Sequence, residues 1–129
     1  MILLDTHVLL WLFFEPGRLS PGAVDRIHTA RAEGGLAVAA VTLFEVAHLV
    51  ARKRLVIHTP CDVLLNDIAS RFLVKPITAS IALASTQLNA PYPRDPMDRL
   101  IGATALVEGM PLVTADERIQ SSGQVQTIW

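Results

Sequence analysis

The sequence contains a single cysteine, Cys61, so no disulfide can form within the chain. It also lacks the basic leading segment of a signal peptide, because the apolar run Val8–Phe14 is preceded by Asp5. That run is too short to cross a bilayer, which takes about 20 residues. These absences predict a cytoplasmic protein with no membrane attachment, in which Cys61 is a reduced structural thiol.

Neither sign of charge is in excess, since 11 lysines and arginines face 12 aspartates and glutamates and the net charge is -1. This excludes the strongly basic character of many nucleic-acid-binding proteins, so any such binding has to depend on a local patch or a metal ion. The sequence also has no internal repeat, linker or low-complexity tract. Residues 1–129 are therefore expected to form one domain, and the 51% hydrophobic content suffices for a core.

Short apolar runs alternate along the chain with helix-starting signals. The pattern predicts helices that begin near Asp5, Ser20, Thr42, Pro60, Thr78 and Asp95. It predicts strands at Ile2–Leu4, Leu36–Val41, Leu73–Ile77, Pro111–Thr114 and Gln124–Trp129. Thr42 is expected to form a capping box with Glu45, and the helix after Thr78 is expected to reach Leu88. The alternation predicts an α/β protein whose parallel sheet is covered by helices on both faces.

One helix start combines several signals in the stretch Arg94–Ala105. Asp95 suits the N-cap and Pro96 suits the first helical position, where a missing N–H costs nothing. Asp98 then falls at the third position, where the helix dipole favours a negative charge. The pattern places a carboxylate at the start of a buried helix, although a purely capping arrangement would read the same way.

Four acids, Asp5, Glu45, Asp98 and Asp116, follow predicted strands or occupy predicted first helical turns. In parallel sheets these positions face one edge, where ligands bind. A group of carboxylates without matching lysines or arginines is unfavourable unless a divalent cation is bound. Oxygen ligands without cysteine or paired histidine favour Mg²⁺ or Mn²⁺. The alternative is that each acid is a helix cap or a turn residue.

Four segments resemble one family in the right order along the whole chain. They are Leu4–His7, Val41–Val46, Asp95–Ile101 and Leu112–Ile119, and they are similar to the PIN domain, more narrowly to the VapC-type toxins of bacterial type II toxin–antitoxin systems. The resemblance implies a PIN-like, Rossmann-like three-layer fold with a central, mostly parallel sheet of about five strands flanked by helices. It also implies a metal-dependent endoribonuclease that acts on RNA, binds a cognate antitoxin and forms a homodimer or a larger toxin–antitoxin assembly.

The resemblance also assigns roles to residues. Asp5, Glu45, Asp98 and Asp116 match the acidic catalytic quartet of the family, and Asp5 and Asp98 match its best-attested metal ligands. Thr114 matches a hydroxyl beside the site, whereas Ala115 departs from the basic or polar residue of many relatives. Further candidates to support the site are Thr6, Asp95 and Arg99.

The mechanism expected from this assignment is an in-line attack on the phosphodiester by a metal-activated water, which leaves a 5′-phosphate and a 3′-hydroxyl. One alternative is a catalytically silent PIN-like interaction module. Another is a phosphohydrolase or receiver-type domain with Asp5 as nucleophile, for which no suitable phosphate-holding lysine is recognised.

Other polar and aromatic residues are expected to have supporting or structural roles. His7 and His48 are expected to contact the acids or to pack, because hard cations prefer oxygen ligands. Most arginines are expected to be surface residues, with RNA contact open for Arg52, Lys53, Arg54, Arg94, Arg99 and Arg118. The aromatic residues expected in the core are Trp11, Phe13, Phe14 and Phe44, although some could belong to a dimer face or an antitoxin groove.

Overall fold

The computed structural model describes all 129 residues, and its centre is a sheet of five parallel strands in the order β3-β2-β1-β4-β5. The strands are β1 (Ile2–Leu4), β2 (Leu36–Ala39), β3 (Leu73–Lys75), β4 (Leu112–Val113) and β5 (Thr127–Ile128). Strand order reverses at the boundary between β1 and β4, and such a reversal opens a crevice at the carboxyl ends of the strands. The predicted α/β fold and the predicted five strands are confirmed.

Seven α-helices flank the sheet, and a 3₁₀ turn at Pro16–Arg18 separates the first two. The helices are α1 (Thr6–Phe14), α2 (Pro21–Glu33), α3 (Ala40–Ala51), α4 (Cys61–Arg71), α5 (Ala79–Ser85), α6 (Pro96–Glu108) and α7 (Glu117–Ser122). None of them has the length and apolar character needed to span a membrane.

Three predicted helix caps are present. Ser20 Oγ accepts a hydrogen bond of 3.1 Å from the N–H of Ala23, and Thr78 Oγ1 accepts one of 3.2 Å from the N–H of Ile81. Asp95 caps α6 with Pro96 in the first helical position, as predicted. Each cap satisfies an N–H that would otherwise have no partner at the start of the helix.

The predicted capping box at Thr42 is wrong. The chain passes directly from β2 into α3 at Ala40, two residues before Thr42, and no side chain caps this helix. The two alanines at the junction are strong helix formers, so the helix extends further back than the polar signal indicates. Thr42 is consequently a buried residue of the first turn, and Glu45 lies in the second turn rather than the first.

Two further elements differ from the sequence prediction. Helix α5 ends at Ser85 instead of Leu88, and the hydroxyls of Ser85 and Thr86 bond to carbonyls three residues back, at 2.6 and 2.7 Å. Such bonds compete with a regular helix. The short α7 was not predicted; it begins after Asp116 and ends at Gly123, whose φ of 66° suits glycine.

The core lies on both faces of the sheet, because successive residues of β1 point to opposite sides. Leu4 packs with α1, α2 and α4, whereas Leu3 packs with α6 and α7, and both are fully buried. Two of the aromatic residues expected in the core are instead exposed, Phe14 at 43% and Phe44 at 53%. Both lie on helix surfaces that no other part of the chain covers, so the apolar pattern alone did not determine their burial.

Candidate active site

Asp5 is fixed at the carboxyl end of the central strand. Its side chain is buried, Oδ1 accepts a hydrogen bond of 2.9 Å from the N–H of Thr6, and Oδ2 accepts one of 2.8 Å from Thr114 Oγ1. Burial raises the pKa of Asp5, and the hydrogen bonds and the nearby His7 imidazole offset only part of this effect. Asp5 is therefore an acid whose negative charge is only partly stabilised by its neighbours.

Glu45 is joined to the start of α1 by a hydroxyl chain. Thr6 Oγ1 donates a hydrogen bond of 2.7 Å to Glu45 Oε1. The hydroxyls of Thr6 and Thr42 are 3.0 Å apart, and because the Thr6 proton is directed at the carboxylate, Thr42 is the donor between them. Burial raises the pKa of Glu45, the bond from Thr6 lowers it, and the charges of Asp5 and Asp95 raise it further.

Asp98 lies in the first turn of α6 and is only half-buried. Asp95 Oδ1 accepts hydrogen bonds of 2.8 Å from Met97 N–H and 3.3 Å from Asp98 N–H, which fixes the start of the helix. Burial and then the charges of Asp5 and Asp95, followed by those of Glu45 and Asp116, raise the pKa of Asp98 to about 7. The Asp98 carboxyl thus experiences the combined negative charge of the other acids.

Asp116 forms the fourth acidic position, as the N-cap of α7. It lies on the more exposed side of the group and pairs with Arg118, whose Nη2 is 3.1 Å from Oδ2 and whose Nε is 3.3 Å from Oδ1. Burial favours the neutral form of Asp116, but the hydrogen bonds from Arg118 outweigh it and lower the pKa. Asp116 is therefore the one acid of the four that has a cationic partner.

His7 connects the first strand to the loop that carries Asp116. Its Nε2 accepts a hydrogen bond of 3.0 Å from the backbone N–H of Ala115, so that nitrogen carries no proton. Its Nδ1 is 3.7 Å from Asp5 Oδ2. The sequence predicted only that His7 contacts the acids or packs, because the amide that His7 binds is 108 positions away.

Tyr92 supports α6 next to Asp98. Its hydroxyl donates a hydrogen bond of 2.8 Å to the backbone carbonyl of Asp98, and its ring occupies the space where a Cβ on Gly102 would lie. Burial raises the pKa of Tyr92, and the charges of Asp5 and Asp98 add to the effect. A glycine inside a helix was the available sequence signal, since it indicates a close approach by another group.

The structure does not place Arg99 among the carboxylates. Its Nη1 donates to the Leu88 carbonyl at 2.6 Å and is 3.5 Å from the Ser85 carbonyl, both near the end of α5. Thr6, Thr114 and Asp95 do contact the four acids or their immediate backbone, as described above. Of the predicted supporting residues, Arg99 is thus the one held elsewhere.

The donor set suits a hard divalent cation, although its side chains are spread out. Burial, and to a smaller extent the neighbouring carboxylates, raise the pKa of Asp5, Glu45 and Asp98. No three side chains of the types His, Cys, Asp and Glu lie close enough together to enclose an ion. An ion held here would have to keep several of its waters and use one or two carboxylates, as Mg²⁺ commonly does.

The family model for the PIN domain matches residues 2–123. The chain belongs to the PIN domain family. Ribonuclease VapC22 from Mycobacterium tuberculosis is 39% identical to this PIN domain over 130 residues, which cover 99% of this chain and 98% of the relative. This near full-length similarity shows that the PIN domain is of the VapC type, as the sequence motifs indicated.

Solved structures of toxin–antitoxin complexes share the fold. VapBC2 from Rickettsia felis, bound to a DNA fragment from its promoter, matches with a TM-score of 0.74 at 15% identity and covers 98% of this chain and 97% of that one. VapBC-5 from Mycobacterium tuberculosis matches with a TM-score of 0.65 at 18% identity, covering 98% of this chain and 95% of that one. They confirm the PIN-like architecture, while the roles of the four acids in this PIN domain stay predictions.

Proposed function

We propose that this PIN domain is a metal-dependent endoribonuclease and the toxin of a cytoplasmic type II toxin–antitoxin module. The observation that carries the proposal is the group of four acids at the β1–β4 crevice, of which only Asp116 has a cationic partner and in which the pKa of Asp98 is raised to about 7. The name of the 39% identical relative, ribonuclease VapC22, supports RNA as the substrate.

Asp5 and Asp98 would hold Mg²⁺ or Mn²⁺, with Asp116 and Glu45 contributing directly or through water. When bound, such an ion neutralises charge on the phosphate and lowers the pKa of a coordinated water. The donor chemistry supports this choice, because all four groups are carboxylates and hard cations prefer oxygen ligands.

The residues around the acids would hold them ready for this chemistry. Thr114 directs its hydroxyl at Asp5, and Thr6 directs its hydroxyl at Glu45, so both carboxylates have fixed orientations. His7 binds the loop before Asp116 through the Ala115 amide. Such fixed positions reduce the reorganisation needed when substrate binds.

The reaction would leave a 5′-phosphate and a 3′-hydroxyl. A water attacks the phosphorus, the bond to the leaving 3′-oxygen breaks, and that oxygen takes up a proton. The scheme requires no protein nucleophile, in agreement with a site made of carboxylates and threonine hydroxyls.

A cognate antitoxin and a second copy of the chain are the proposed protein partners. The neighbours from Rickettsia felis and Mycobacterium tuberculosis are named as VapBC complexes, and the latter as a toxin–antitoxin system. Exposed apolar side chains such as Phe14 would be buried in such contacts.

Induced expression in bacteria tests the proposal in a cell. Wild type is compared with Asp98→Asn and with Asp62→Asn, a control at an exposed aspartate in the first turn of α4. We expect growth arrest and discrete new 5′-phosphate ends in cellular RNA with wild type and Asp62→Asn, and neither with Asp98→Asn. New ends that carry 2′,3′-cyclic phosphates would contradict the mechanism, and folded proteins that cut no RNA would favour an interaction module.

A further inference from the structure

An exposed stripe on α3 begins beside Glu45 and runs towards the end of the helix. Phe44, His48 and Arg52 are spaced four residues apart, so their side chains share one helical face. The rings of Phe44 and His48 are stacked, with centroids 3.9 Å apart and planes inclined by 30°. His48 Nδ1 is 2.9 Å from the Phe44 carbonyl and donates to it, which orients the imidazole.

The stripe borders a depression of about 190 Å³ that shares Glu45 with the candidate active site. Glu45 and Asp95 lie on its acidic side. Its other lining residues include His48, Arg52 and Arg54. A ligand in this depression would therefore contact two guanidinium groups and a group from the acidic quartet at the same time.

A tight turn after α3 presents the two arginines. Arg52 is the C-cap residue, Lys53 has a positive φ of 57°, and the N–H groups of Arg54 and Leu55 both bond to the carbonyl of Leu49, at 2.9 and 3.1 Å. The turn brings Arg52 and Arg54 to the depression, whereas Lys53 is not part of its lining.

Arg52 and Arg54, like Arg26, Arg31 and Arg94, are not engaged by another side chain or by a carbonyl. Arg18, Arg71 and Arg118 form ion pairs with nearby carboxylates, and Arg99 is bonded to carbonyls at the end of α5. Neither Arg52 nor Arg54 forms an ion pair, although Glu45 and Asp95 line the same depression. Their guanidinium groups are thus free to bind an added anion.

We infer that Phe44, His48, Arg52 and Arg54, here called the α3 surface, bind single-stranded RNA next to the phosphodiester that is cut. Arg52 and Arg54 contact backbone phosphates, and a neighbouring base stacks on the Phe44–His48 pair. Positively charged side chains combined with exposed aromatic rings are the usual means of binding single strands. The inference rests on the proposed nuclease function, and it defines where the substrate lies relative to the acids.

A protein segment without carboxylates fits the α3 surface less well. It would bury two unpaired guanidinium groups together with Glu45, and unpaired buried charge is strongly unfavourable. RNA supplies the missing anions, and its bases supply flat partners for the exposed ring pair. Contacts between the arginines and phosphates would change the salt dependence of RNA binding, whereas a contact between Phe44 and a base would change only the affinity. One binding experiment therefore distinguishes the two kinds of contact.

The experiment measures binding of a fluorescein-labelled, unstructured 12-nucleotide RNA by anisotropy as a function of NaCl concentration. All proteins carry Asp98→Asn and are kept in EDTA so that the RNA stays intact. Arg52→Gln, Arg54→Gln and Phe44→Ala are compared with Lys53→Asn, a control that removes one charge from the same turn and tolerates a positive φ. Sedimentation of each protein is recorded under the same conditions.

Each arginine variant is expected to reduce the slope of log K against log[salt] by about 0.7, the value for one phosphate contact on a single strand. Phe44→Ala is expected to weaken binding roughly 5- to 100-fold without changing the slope, because stacking involves no counterion release. Lys53→Asn is expected to leave the slope unchanged.

Three results would overturn the inference. If Lys53→Asn reduced the salt slope as much as the arginine variants do, the RNA would be attracted by the overall charge of the turn rather than bound at the α3 surface. If both arginine variants kept the slope of wild type, the α3 surface would make no phosphate contact. Loss of a dimer in Phe44→Ala, with RNA affinity intact, would assign the surface to a contact between copies of the chain. If wild type still cuts RNA in these cases, the nuclease proposal stands; if wild type neither cuts nor binds RNA, that proposal fails as well.

Discussion

The hydroxyl of Thr114 donates a hydrogen bond of 2.8 Å to Oδ2 of Asp5, across the boundary at which the strand order reverses. The same hydroxyl accepts a hydrogen bond of 3.1 Å from the backbone N–H of Asp116. Thr114 is therefore a buried bridge between two acids that are far apart in the sequence, and it orients both of them.

Thr114→Val is expected to lower the free energy of unfolding by about 1–3 kcal/mol, because a buried carboxylate oxygen and an N–H lose their partner. Thr114→Ser keeps the hydroxyl and is expected to retain most of the stability. Urea denaturation of both variants beside wild type is the measurement. Equal stability of the valine and serine variants would show that the bridge contributes nothing.

Replacement of His7 is expected to disturb the loop before Asp116. His7→Leu leaves the Ala115 amide without its acceptor, whereas His7→Gln can place a carbonyl oxygen near the position of Nε2. We expect faster amide exchange at Ala115 and weaker Mn²⁺ binding in His7→Leu, with recovery of both in His7→Gln. Hydrogen exchange and Mn²⁺ titration followed by electron paramagnetic resonance measure the two effects, and identical behaviour of the variants would exclude this positioning role.

Gly102→Ala is expected to destabilise the protein, although alanine normally favours a helix by roughly 1 kcal/mol over glycine. The added Cβ would overlap the Tyr92 ring, which is held by its bond to the Asp98 carbonyl. Gly17→Ala is the matched control, because a Cβ there meets nothing within 4 Å. Thermal melts are expected to show a lower Tm for Gly102→Ala and an unchanged or higher one for Gly17→Ala; a stabilised Gly102→Ala would contradict the packing described.

The metal-free protein is expected to lose stability as pH rises from about 4 to 7. Asp98 ionises near its ordinary pKa of 3.8 in the unfolded chain but near 7 in the folded one, so between these values the folded state binds more protons. Raising the pH therefore favours unfolding until about pH 7. The raised pKa values of Asp5 and Glu45 act in the same direction, while the lowered pKa of Asp116 acts only below about pH 4.

Asp98→Asn removes the contribution of Asp98 to this pH dependence. In EDTA at pH 8 the variant is expected to melt at a higher temperature than wild type, and the difference is expected to shrink near pH 4. Added Mn²⁺ is expected to raise the Tm of wild type more than that of the variant. If the Tm of the two proteins changed with pH in the same way, Asp98 would not experience the repulsion described.

The parts of the fold that follow from local sequence rules were predicted correctly. Alternating apolar runs and caps at Ser20, Thr78 and Asp95 identified six of the helices and all five strands, because these signals act over a few residues. The predicted start of α3 was wrong. Thr42 is a residue type that often caps helices, but here its hydroxyl forms a hydrogen bond with Thr6, 36 positions away. Local patterns contain no information about such a partner.

The candidate site likewise has features that local sequence predicts and features that it does not. The four acids could be selected because each was predicted to follow a strand or to lie in a first helical turn, and parallel strands bring those positions to one edge. Other features of the site depend on contacts made only in the folded chain. They are the bond of His7 to the Ala115 amide, the bond of Tyr92 to the Asp98 carbonyl, and the bond of Arg99 to the Leu88 carbonyl. The exposure of Phe44 likewise depends on which helix faces remain uncovered after packing.

Cleavage of purified RNA, followed by mapping of the new ends, is the direct test of whether this PIN domain is a metal-dependent ribonuclease. Wild type, Asp98→Asn and Asp62→Asn are incubated with total RNA in Mg²⁺, in Mn²⁺ or in EDTA, and the chemistry of the new ends is determined. We expect new 5′-phosphate ends with wild type and Asp62→Asn, only when a divalent ion is present. Cutting by Asp98→Asn is expected to be at least about a hundredfold slower, which is the order of the loss when one group that stabilises transition-state charge is removed. Cutting at the same rate in EDTA, or by Asp98→Asn at the wild-type rate, would contradict the proposed function.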